Sequence, residues 1–362
     1  MKNVSESISK LPPYVLSKLR VGTLTESGFE DLLQLACNEN PRGPSSKVLA
    51  ALNDAQSSLN RYPDSDGLRL KSQLAERLGV SVLQVTLGAG SSGVLDLITK
   101  VVLSPDSEVI VDEYCFTLYP ILVHTAHGKL VKVSAKNWKI DFSAMLGEIT
   151  PSTRLIFITN PGNPLGTCTE NAELVAFLDT LPQEIWVVLD EAYFEYVRNS
   201  SFLDSVQLCQ KYPNVIVART FSKVYGLAGL RVGYGISSET MCEMLNRIRP
   251  PFNVNSLALT AAEVALADRA YVRVCLELNE TGRVYLYREF ERMGLDYLDS
   301  HTNFITFNCG SEAAPINTEL KKRGIIVRTL ANYNLPNHLR VTVGLPDENK
   351  KFIATLEKIL LN

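Results

Sequence analysis

The sequence lacks a long apolar run, and it has almost no net charge. Its 36 Lys and Arg residues against 39 Asp and Glu residues give a net charge of −3, without a block of like charges. A membrane-spanning helix needs roughly 18 or more consecutive apolar residues. A protein that binds nucleic acid through phosphates needs clustered basic side chains. We therefore expect a cytoplasmic protein whose ligands are small molecules, with no nucleic-acid and no membrane partner.

Cysteine and histidine are sparse and lack the spacing of a metal site. The seven cysteines are an odd number, are widely spaced and include no C-x-x-C pair, so the sequence predicts neither a disulfide framework nor a zinc site. His124 and His127 lie three residues apart on a predicted helix, but no third ligand accompanies them. We expect no metal, and cysteines that stay reduced.

What the sequence does have is enough apolar material for a large core. It has 362 residues, of which 46% are hydrophobic, and this length indicates about two domains. Between residues 81 and 236, short β-rich runs alternate with helical patterns, which predicts an α/β fold with a mostly parallel sheet covered by helices on both faces. The predicted strands are Gln84–Leu87, Glu108–Asp112, Leu155–Thr159, Ile185–Asp190, Val215–Arg219 and Val232–Ile236.

The pattern changes after Pro250-Pro251. Long helices are predicted between Ser256 and about Met293, and short strands around 304–307, 325–327 and 339–343 precede a last helix that ends near Leu361. This arrangement predicts a smaller α+β domain. We predict a large domain over residues 40–252, and a second unit made of an N-terminal arm over 1–39 and a small domain over 253–362.

A glycine-rich turn follows the first predicted strand. Gly88-Ala89-Gly90-Ser91-Ser92-Gly93 leads into a helix, and the backbone N–H groups of such a turn can bind a phosphate. The turn also matches G-x-G-x-x-G, and Asp112-Glu113 ends the next strand about 20 residues further on, as in dinucleotide-binding proteins. This motif alone leaves a nicotinamide dinucleotide, another phosphate ligand and a purely structural turn all open.

Three later strand ends favour a different cofactor. The loop 160–166 carries Asn163, Asp190 ends the most apolar strand, and Ser222-Lys223 follows the next strand, with Arg231 close behind. In open α/β sheets such residues meet in one crevice. Each could have a structural role, such as a helix cap, a turn or a solvated charge. Together, an amine, a buried acid and a phosphate cup are the groups that pyridoxal phosphate needs.

The sequence resembles the class I/II aminotransferases of pyridoxal-phosphate fold type I and, within them, the histidinol-phosphate aminotransferases. The matching segments span nearly the whole chain: Asn38-Glu39-Asn40-Pro41, Arg61-Tyr62-Pro63-Asp64, 160–166, 190–193, 221–223, 226–233, 250–255, 324–328 and 339–344.

The resemblance implies a role for each matching residue around the cofactor. Lys223 would hold pyridoxal phosphate covalently and move the substrate proton as general acid and base. Asp190 would keep the ring nitrogen protonated, while Tyr193 and Asn163 would hydrogen-bond the ring oxygen. An aromatic ring, here Phe116, would stack on the pyridine. The phosphate would be bound by Gly90, Ser91, Ser92, Ser222 and Arg231, and by Tyr62 of a neighbouring subunit in a homodimer.

The same resemblance implies the substrate. Arg340 would clamp the substrate α-carboxylate, Arg328 and Tyr14 would bind a distal phosphate, and Asn38 and Asn163 would complete the substrate site. The expected reaction moves an amino group between L-histidinol phosphate and 2-oxoglutarate, giving imidazole acetol phosphate and L-glutamate. Two alternatives stay open: an aromatic or broad-range amino-acid aminotransferase, and a phosphothreonine decarboxylase.

Overall fold

The computed structural model describes residues 32–198 and 205–361, so the predicted substrate residue Tyr14 lies outside the described residues. The strands, in chain order, are β1 Leu33–Gln34, β2 Val85–Gly88, β3 Glu108–Asp112, β4 Lys129–Val133, β5 Thr153–Thr159, β6 Trp186–Asp190, β7 Val215–Thr220, β8 Gly233–Ile236, β9 Phe304–Asn308, β10 Ile325–Ile326, β11 Arg328–Leu330 and β12 Leu335–Thr342. The α-helices are α1 Ser46–Ala55, α2 Leu68–Leu78, α3 Gly90–Val102, α4 Leu118–Thr125, α5 Phe142–Gly147, α6 Asn171–Thr180, α7 Leu208–Lys211, α8 Glu239–Ile248, α9 Ser256–Ala267, α10 Arg269–Arg292, α11 Ala313–Lys322 and α12 Pro346–Leu360.

A seven-stranded sheet forms the centre of the protein, in the order β2-β8-β7-β6-β5-β3-β4. Its pairs are parallel except for β8, which runs antiparallel to both of its neighbours. The central strands are apolar and buried on both faces because helices cover both sides of the sheet, as in Val187, Val188 and Leu189 of β6. The predicted α/β fold with a mostly parallel sheet is confirmed.

The sequence analysis missed one strand of this sheet. β4 pairs with β3 at the edge, and Lys129 and Lys132 on it are exposed. A half-exposed edge strand with charged residues lacks the continuous apolar run that identified the central strands. The six strands that were predicted here agree with the structure to within about two residues.

A second, smaller assembly surrounds a three-stranded antiparallel sheet in the order β11-β12-β9. Its core contains Phe290, Phe307 and Phe352, and Leu35 from the start of the described chain is buried among them. β1 pairs in parallel with β10, so residues 33–35 are attached to this assembly. The division of the chain into domains at residue 252 stays a prediction.

Helix α10, which follows α9, joins the two assemblies. Ala258 and Ala261 of α9 are buried in the core beneath the large sheet. α10 packs Cys275 into that core near its beginning, and Phe290 into the core of the small assembly near its end. With 24 residues, α10 is about 36 Å long and can therefore reach both cores.

Neither a membrane span nor a metal site is found in residues 32–198 and 205–361. No helix there combines the length and the apolar composition that crossing a bilayer requires. His127 follows the end of α4 with a positive φ of 61°, so it does not share a helix face with His124. No group of three or more His, Cys, Asp or Glu residues in this part of the chain could hold a metal ion. The seven cysteines are unpaired.

Candidate active site

A cavity of about 660 Å³ opens where β5, β6 and β7 end, between the large sheet and the small one. Thr159, Asp190 and Thr220 at these strand ends line it. The carboxyl ends of parallel strands are where open α/β sheets bind ligands. The cavity brings together these predicted site residues: Asn38, Ser91, Ser92, Phe116, Asn163, Asp190, Tyr193, Ser222, Lys223, Arg231, Arg328 and Arg340.

One end of the cavity has the features of a phosphate site. α3 begins at Gly90 directly after β2, and Ser91 and Ser92 of its first turn line the cavity. Backbone N–H groups in the first turn of a helix have no partner within the helix and can bind a phosphate. Arg231 donates a hydrogen bond from Nη1 to Ser222 Oγ at 3.3 Å. A Cβ on Gly90 would lie 2.5 Å from the Arg231 guanidinium, and Gly90 has a φ of +75°. Glycine is therefore required for this close approach, although Gly90 itself does not line the cavity.

Lys223 lines the cavity and lies three residues after β7 ends at Thr220. Its Nζ donates a hydrogen bond to the carbonyl oxygen of Cys37 at 3.2 Å and lies 5.6 Å from the centre of the Tyr193 ring. Burial, followed by the positive charge of Arg340, lowers the pKa of Lys223 to about 8. A substantial fraction of this amine is therefore neutral near pH 8 and can act as a nucleophile or base.

Asp190 is buried behind the cavity, with 3% of its surface exposed. Burial raises the pKa of its carboxyl group to about 6, although hydrogen bonds from Tyr119 and from the Ala192 backbone oppose this increase. Tyr119 Oη donates to Asp190 Oδ2 at 2.9 Å. A buried carboxylate of this kind is best stabilised by a cation placed beside it.

Tyr119 is a residue that the sequence analysis missed. Its ring stacks on Phe157 at 4.3 Å, and its hydroxyl lies 2.6 Å from that of Thr159. These contacts fix the hydroxyl that holds Asp190. Tyr119 is in the first turn of α4 among apolar residues, so its pattern in the sequence is that of an ordinary core tyrosine.

The opposite end of the cavity is built to bind an anion. Arg328 on β11 and Arg340 on β12 are directly opposite each other in the antiparallel pair. Arg340 is 8% exposed and donates to Asn163 Oδ1 and, at 2.8 Å, to the Ala36 carbonyl oxygen. Its Nε has no hydrogen-bond partner among the described residues. A buried donor without a partner indicates that a ligand supplies one.

Tyr193 lies between the two ends. Its hydroxyl accepts hydrogen bonds from Asn38 Nδ2 at 2.8 Å and from Asn163 Nδ2 at 3.4 Å. Burial raises the pKa of Tyr193 to about 12, so this hydroxyl stays protonated and can still donate one hydrogen bond. Tyr333 also lines the cavity, beside Arg328 and Arg340, and the sequence analysis did not identify it.

Tyr62 does not line this cavity. It is 81% exposed and stacks on Phe252, which is itself 39% exposed, with 4.4 Å between the ring centres. Leu59 beside them is 55% exposed. These three residues form an apolar patch, which we call the Tyr62 patch, on the outer surface of the chain.

The family model for aminotransferase class I and II matches residues 30–356. The chain belongs to this aminotransferase family. Histidinol-phosphate aminotransferase 2 of Pseudomonas fluorescens is 47% identical over 98% of this chain and 96% of its own length. Histidinol-phosphate aminotransferase 1 of Idiomarina loihiensis is 45% identical over 98% of this chain and 97% of its own length.

A solved structure extends this similarity to the fold. The histidinol-phosphate aminotransferase of Sinorhizobium meliloti, in complex with pyridoxal-5'-phosphate, has a TM-score of 0.92 and 29% identity, and the match covers 100% of this chain and 98% of that one. The predicted fold, that of fold type I pyridoxal-phosphate enzymes, is thereby confirmed, as is the predicted membership of the aminotransferase family.

The residues of the cavity fit pyridoxal phosphate. A phosphate group would be bound by the N-terminus of α3, Ser222 and Arg231. A Cβ at position 90 would collide with the Arg231 guanidinium, so glycine is needed there. Lys223 supplies an amine of lowered pKa for a covalent bond to an aldehyde. The buried carboxyl of Asp190 matches a protonated ring nitrogen. A nicotinamide dinucleotide would use neither the amine nor the buried acid.

Proposed function

We propose that this aminotransferase moves an amino group between L-histidinol phosphate and 2-oxoglutarate, producing imidazole acetol phosphate and L-glutamate with pyridoxal phosphate as cofactor. The names of its relatives, at 45% and 47% identity over nearly the full chain, support this choice. The bound pyridoxal phosphate in the Sinorhizobium meliloti enzyme supports the cofactor.

The observation that carries the proposal is the register pairing of Arg328 with Arg340. Like charges directly opposite on neighbouring strands repel each other and destabilise a sheet. The positive charge of Arg328 contributes to lowering the pKa of Arg340, after burial. A dianion that binds both guanidinium groups relieves this repulsion. The phosphate of histidinol phosphate is such a dianion, whereas an ordinary amino acid brings only one carboxylate to this end.

The same pair would bind the second substrate. Histidinol phosphate has no carboxylate, so its phosphate would occupy the place that the α-carboxylate of glutamate takes in the other half-reaction. Arg340 would contact both anions, because it is the more buried of the two arginines and is held by Asn163 and Ala36. Arg328 would contribute mainly to the doubly charged phosphate.

Pyridoxal phosphate, when bound, supplies an aldehyde for the amino group and a ring that withdraws electrons from the substrate carbon. Lys223 would hold this aldehyde carbon covalently, and its amine, when free, would move a proton between the substrate Cα and the former aldehyde carbon. Asp190 would stabilise the protonated ring nitrogen. Tyr193 and Asn163 would hydrogen-bond the ring oxygen, and Phe116 would pack on the ring face.

We also propose that two chains share their active sites. The Tyr62 patch exposes two aromatic rings and a leucine, and exposed apolar surface of this kind favours association. In the homodimer, Tyr62 would reach the cofactor phosphate of the partner subunit. The unpaired state of all seven cysteines supports a reducing compartment, and we propose the cytoplasm.

The test is a substrate panel on the purified protein. Histidinol phosphate, phenylalanine, tyrosine and phosphothreonine are compared as substrates, first with the wild-type chain and then with Arg328→Ala. We expect the wild type to prefer histidinol phosphate. The variant should lose about 10- to 100-fold in kcat/KM for histidinol phosphate, because it loses a charge-assisted contact, and should keep its activity on phenylalanine.

Two results would favour the alternatives. Equal losses on histidinol phosphate and phenylalanine in Arg328→Ala would assign Arg328 a structural role and favour an aromatic or broad-range aminotransferase. Release of carbon dioxide from phosphothreonine would favour the decarboxylase.

A further inference from the structure

Glu39 is a cavity residue that the proposed reaction leaves without a role. It lines the main cavity and also an adjoining cavity of about 370 Å³. Ser222 and Ala228 line both cavities too, so Glu39 lies toward the end that holds Ser222. Arg328 and Arg340 are found only in the main cavity. Glu39 therefore lies where the two cavities meet, a region that Arg328 and Arg340 do not line.

The charge of the Glu39 side chain is unusual for this site. The main cavity is lined by four basic side chains, Lys223, Arg231, Arg328 and Arg340, and by two acidic ones, Asp190 and Glu39. Asp190 is buried and already held by Tyr119. Glu39 is exposed, and no hydrogen bond or ion pair of its carboxylate occurs within residues 32–198 and 205–361. Its negative charge raises the pKa of Lys223, against the effect of burial.

The backbone around Glu39 is held in place although its side chain is not. Asn303 Nδ2 donates hydrogen bonds to the carbonyl oxygens of Asn38 and Glu39 at 3.0 and 3.4 Å. Asn40 Nδ2 donates to the carbonyl oxygen of Val224 at 2.7 Å. The backbone that carries the Glu39 carboxylate is thus fixed at the cavity, which favours a role in recognition.

We propose that the Glu39 carboxylate accepts a hydrogen bond from the imidazole N–H of histidinol phosphate and thereby selects this amino substrate. This inference rests on the proposed function. A substrate whose phosphate is bound by Arg328 and Arg340, and whose amine reaches Lys223, extends its side chain away from the arginines. Its imidazole ring then lies toward Glu39. An imidazole N–H is a donor in both protonation states of the ring, so a carboxylate is a suitable acceptor.

The same carboxylate acts in the opposite sense on glutamate. When the α-carboxylate of glutamate occupies the arginine end, its γ-carboxylate extends toward Glu39 and is repelled. Removing the negative charge of Glu39 should therefore slow the half-reaction with histidinol phosphate but not the half-reaction with glutamate. A residue that only supports the fold would change them together.

The experiment measures each half-reaction of the holoenzyme separately, from the change in cofactor absorbance on mixing with one amino substrate. Three substrates are compared: histidinol phosphate, glutamate, and 2-amino-3-phenylpropyl phosphate, in which a phenyl ring replaces the imidazole. The variants are Glu39→Gln and, as a control, Glu148→Gln, since Glu148 is exposed and lines neither cavity. Cofactor affinity is measured for each variant.

We expect Glu39→Gln to lower kcat/KM for histidinol phosphate by about 10-fold, because the neutral amide oxygen of Gln is a weaker acceptor than a carboxylate. The phenyl analogue should change by less than about twofold, and the half-reaction with glutamate should be unchanged or faster. Glu148→Gln should behave as the wild type, and cofactor affinity should be the same in all proteins.

Each of the following results would overturn the inference. Equal losses on histidinol phosphate and the phenyl analogue would show that Glu39 does not contact the imidazole. A parallel loss on glutamate, or weaker cofactor binding, would assign it a structural role. If the wild type reacts with histidinol phosphate and Glu39→Gln has the same kcat/KM, this inference alone is refuted. If the wild type does not react with histidinol phosphate, the proposed function is refuted as well.

Discussion

Replacing Asp190 with Asn should stabilise the cofactor-free protein while impairing the loaded enzyme. The Asp190 carboxyl is buried, and its pKa is raised from an ordinary value of 3.8 to about 6. At 1.36 kcal/mol for each pH unit, ionisation at pH 8 costs about 3 kcal/mol of folding stability. Asn has nearly the same shape and carries no charge, so the variant avoids this cost.

The sign of the pH dependence follows from proton binding. Between pH 4 and 6 the folded protein holds the Asp190 proton more tightly than the unfolded chain does, so the free energy of unfolding of the wild type falls as pH rises through this range. The variant lacks this decrease. Its advantage over the wild type should therefore be roughly half as large at pH 5 as at pH 8, and should stay constant above pH 7.

The assay is urea unfolding of both cofactor-free proteins at pH 5 and pH 8, followed by tyrosine and tryptophan fluorescence. We expect a higher urea midpoint for Asp190→Asn at pH 8. With pyridoxal phosphate bound the order should reverse, because Asn cannot stabilise a protonated ring nitrogen, and turnover should fall by orders of magnitude. A cofactor-free variant that is less stable than the wild type at pH 8 would refute the reasoning, since it would show that the ionised carboxylate is stabilised without a cation.

Three further predictions concern other residues of the site. Tyr119→Phe keeps the ring stacked on Phe157 but removes a hydrogen bond that lowers the pKa of Asp190. We expect kcat to fall about 10-fold. The acidic limb of the pH profile of kcat should move to higher pH, because the pKa of Asp190 rises. An unchanged profile would contradict the assigned role. Lys223 should bind pyridoxal phosphate at a rate that rises with pH around 8, and borohydride should fix the cofactor to Lys223; a label on another lysine would disprove its role. Mixing Lys223→Ala with Tyr62→Phe should restore activity above that of either variant, because one site of the hybrid dimer has both native residues. A monomer in sedimentation analysis would contradict this last prediction.

The sequence was sufficient to predict the central strands of the large sheet because these strands are buried on both faces. A strand such as β6, with Val187, Val188 and Leu189, must be apolar throughout, and polar residues after such a strand mark the crevice. This is why Asp190 and Lys223 could be placed together from their positions at strand ends. The edge strand β4 carries no such signal, since Lys129 and Lys132 alternate with apolar residues.

Other parts of the site depend on long-range packing that a single sequence does not display. Tyr119 and Asp190 are 71 residues apart in the chain, and only the folded sheet brings them together. The pairing of Arg328 with Arg340 depends on the register of β11 and β12, which shifts between Thr329 and Leu330. A shift of one residue would put the two arginines on opposite faces of the strand pair.

The antiparallel strand β8 also has a consequence for how the chain folds during synthesis. β2, at residues 85–88, has β8, at residues 233–236, as its partner in the sheet. At about 5–20 residues per second, a ribosome needs on the order of ten seconds to make the chain between them. During that time β2 is an apolar edge without its neighbour, and the turn that begins α3 lacks the support of Gly233, whose Cα lies against Ser91. We expect the phosphate-binding turn to become ordered late, and the growing chain to be most prone to aggregation before residue 236 has left the ribosome.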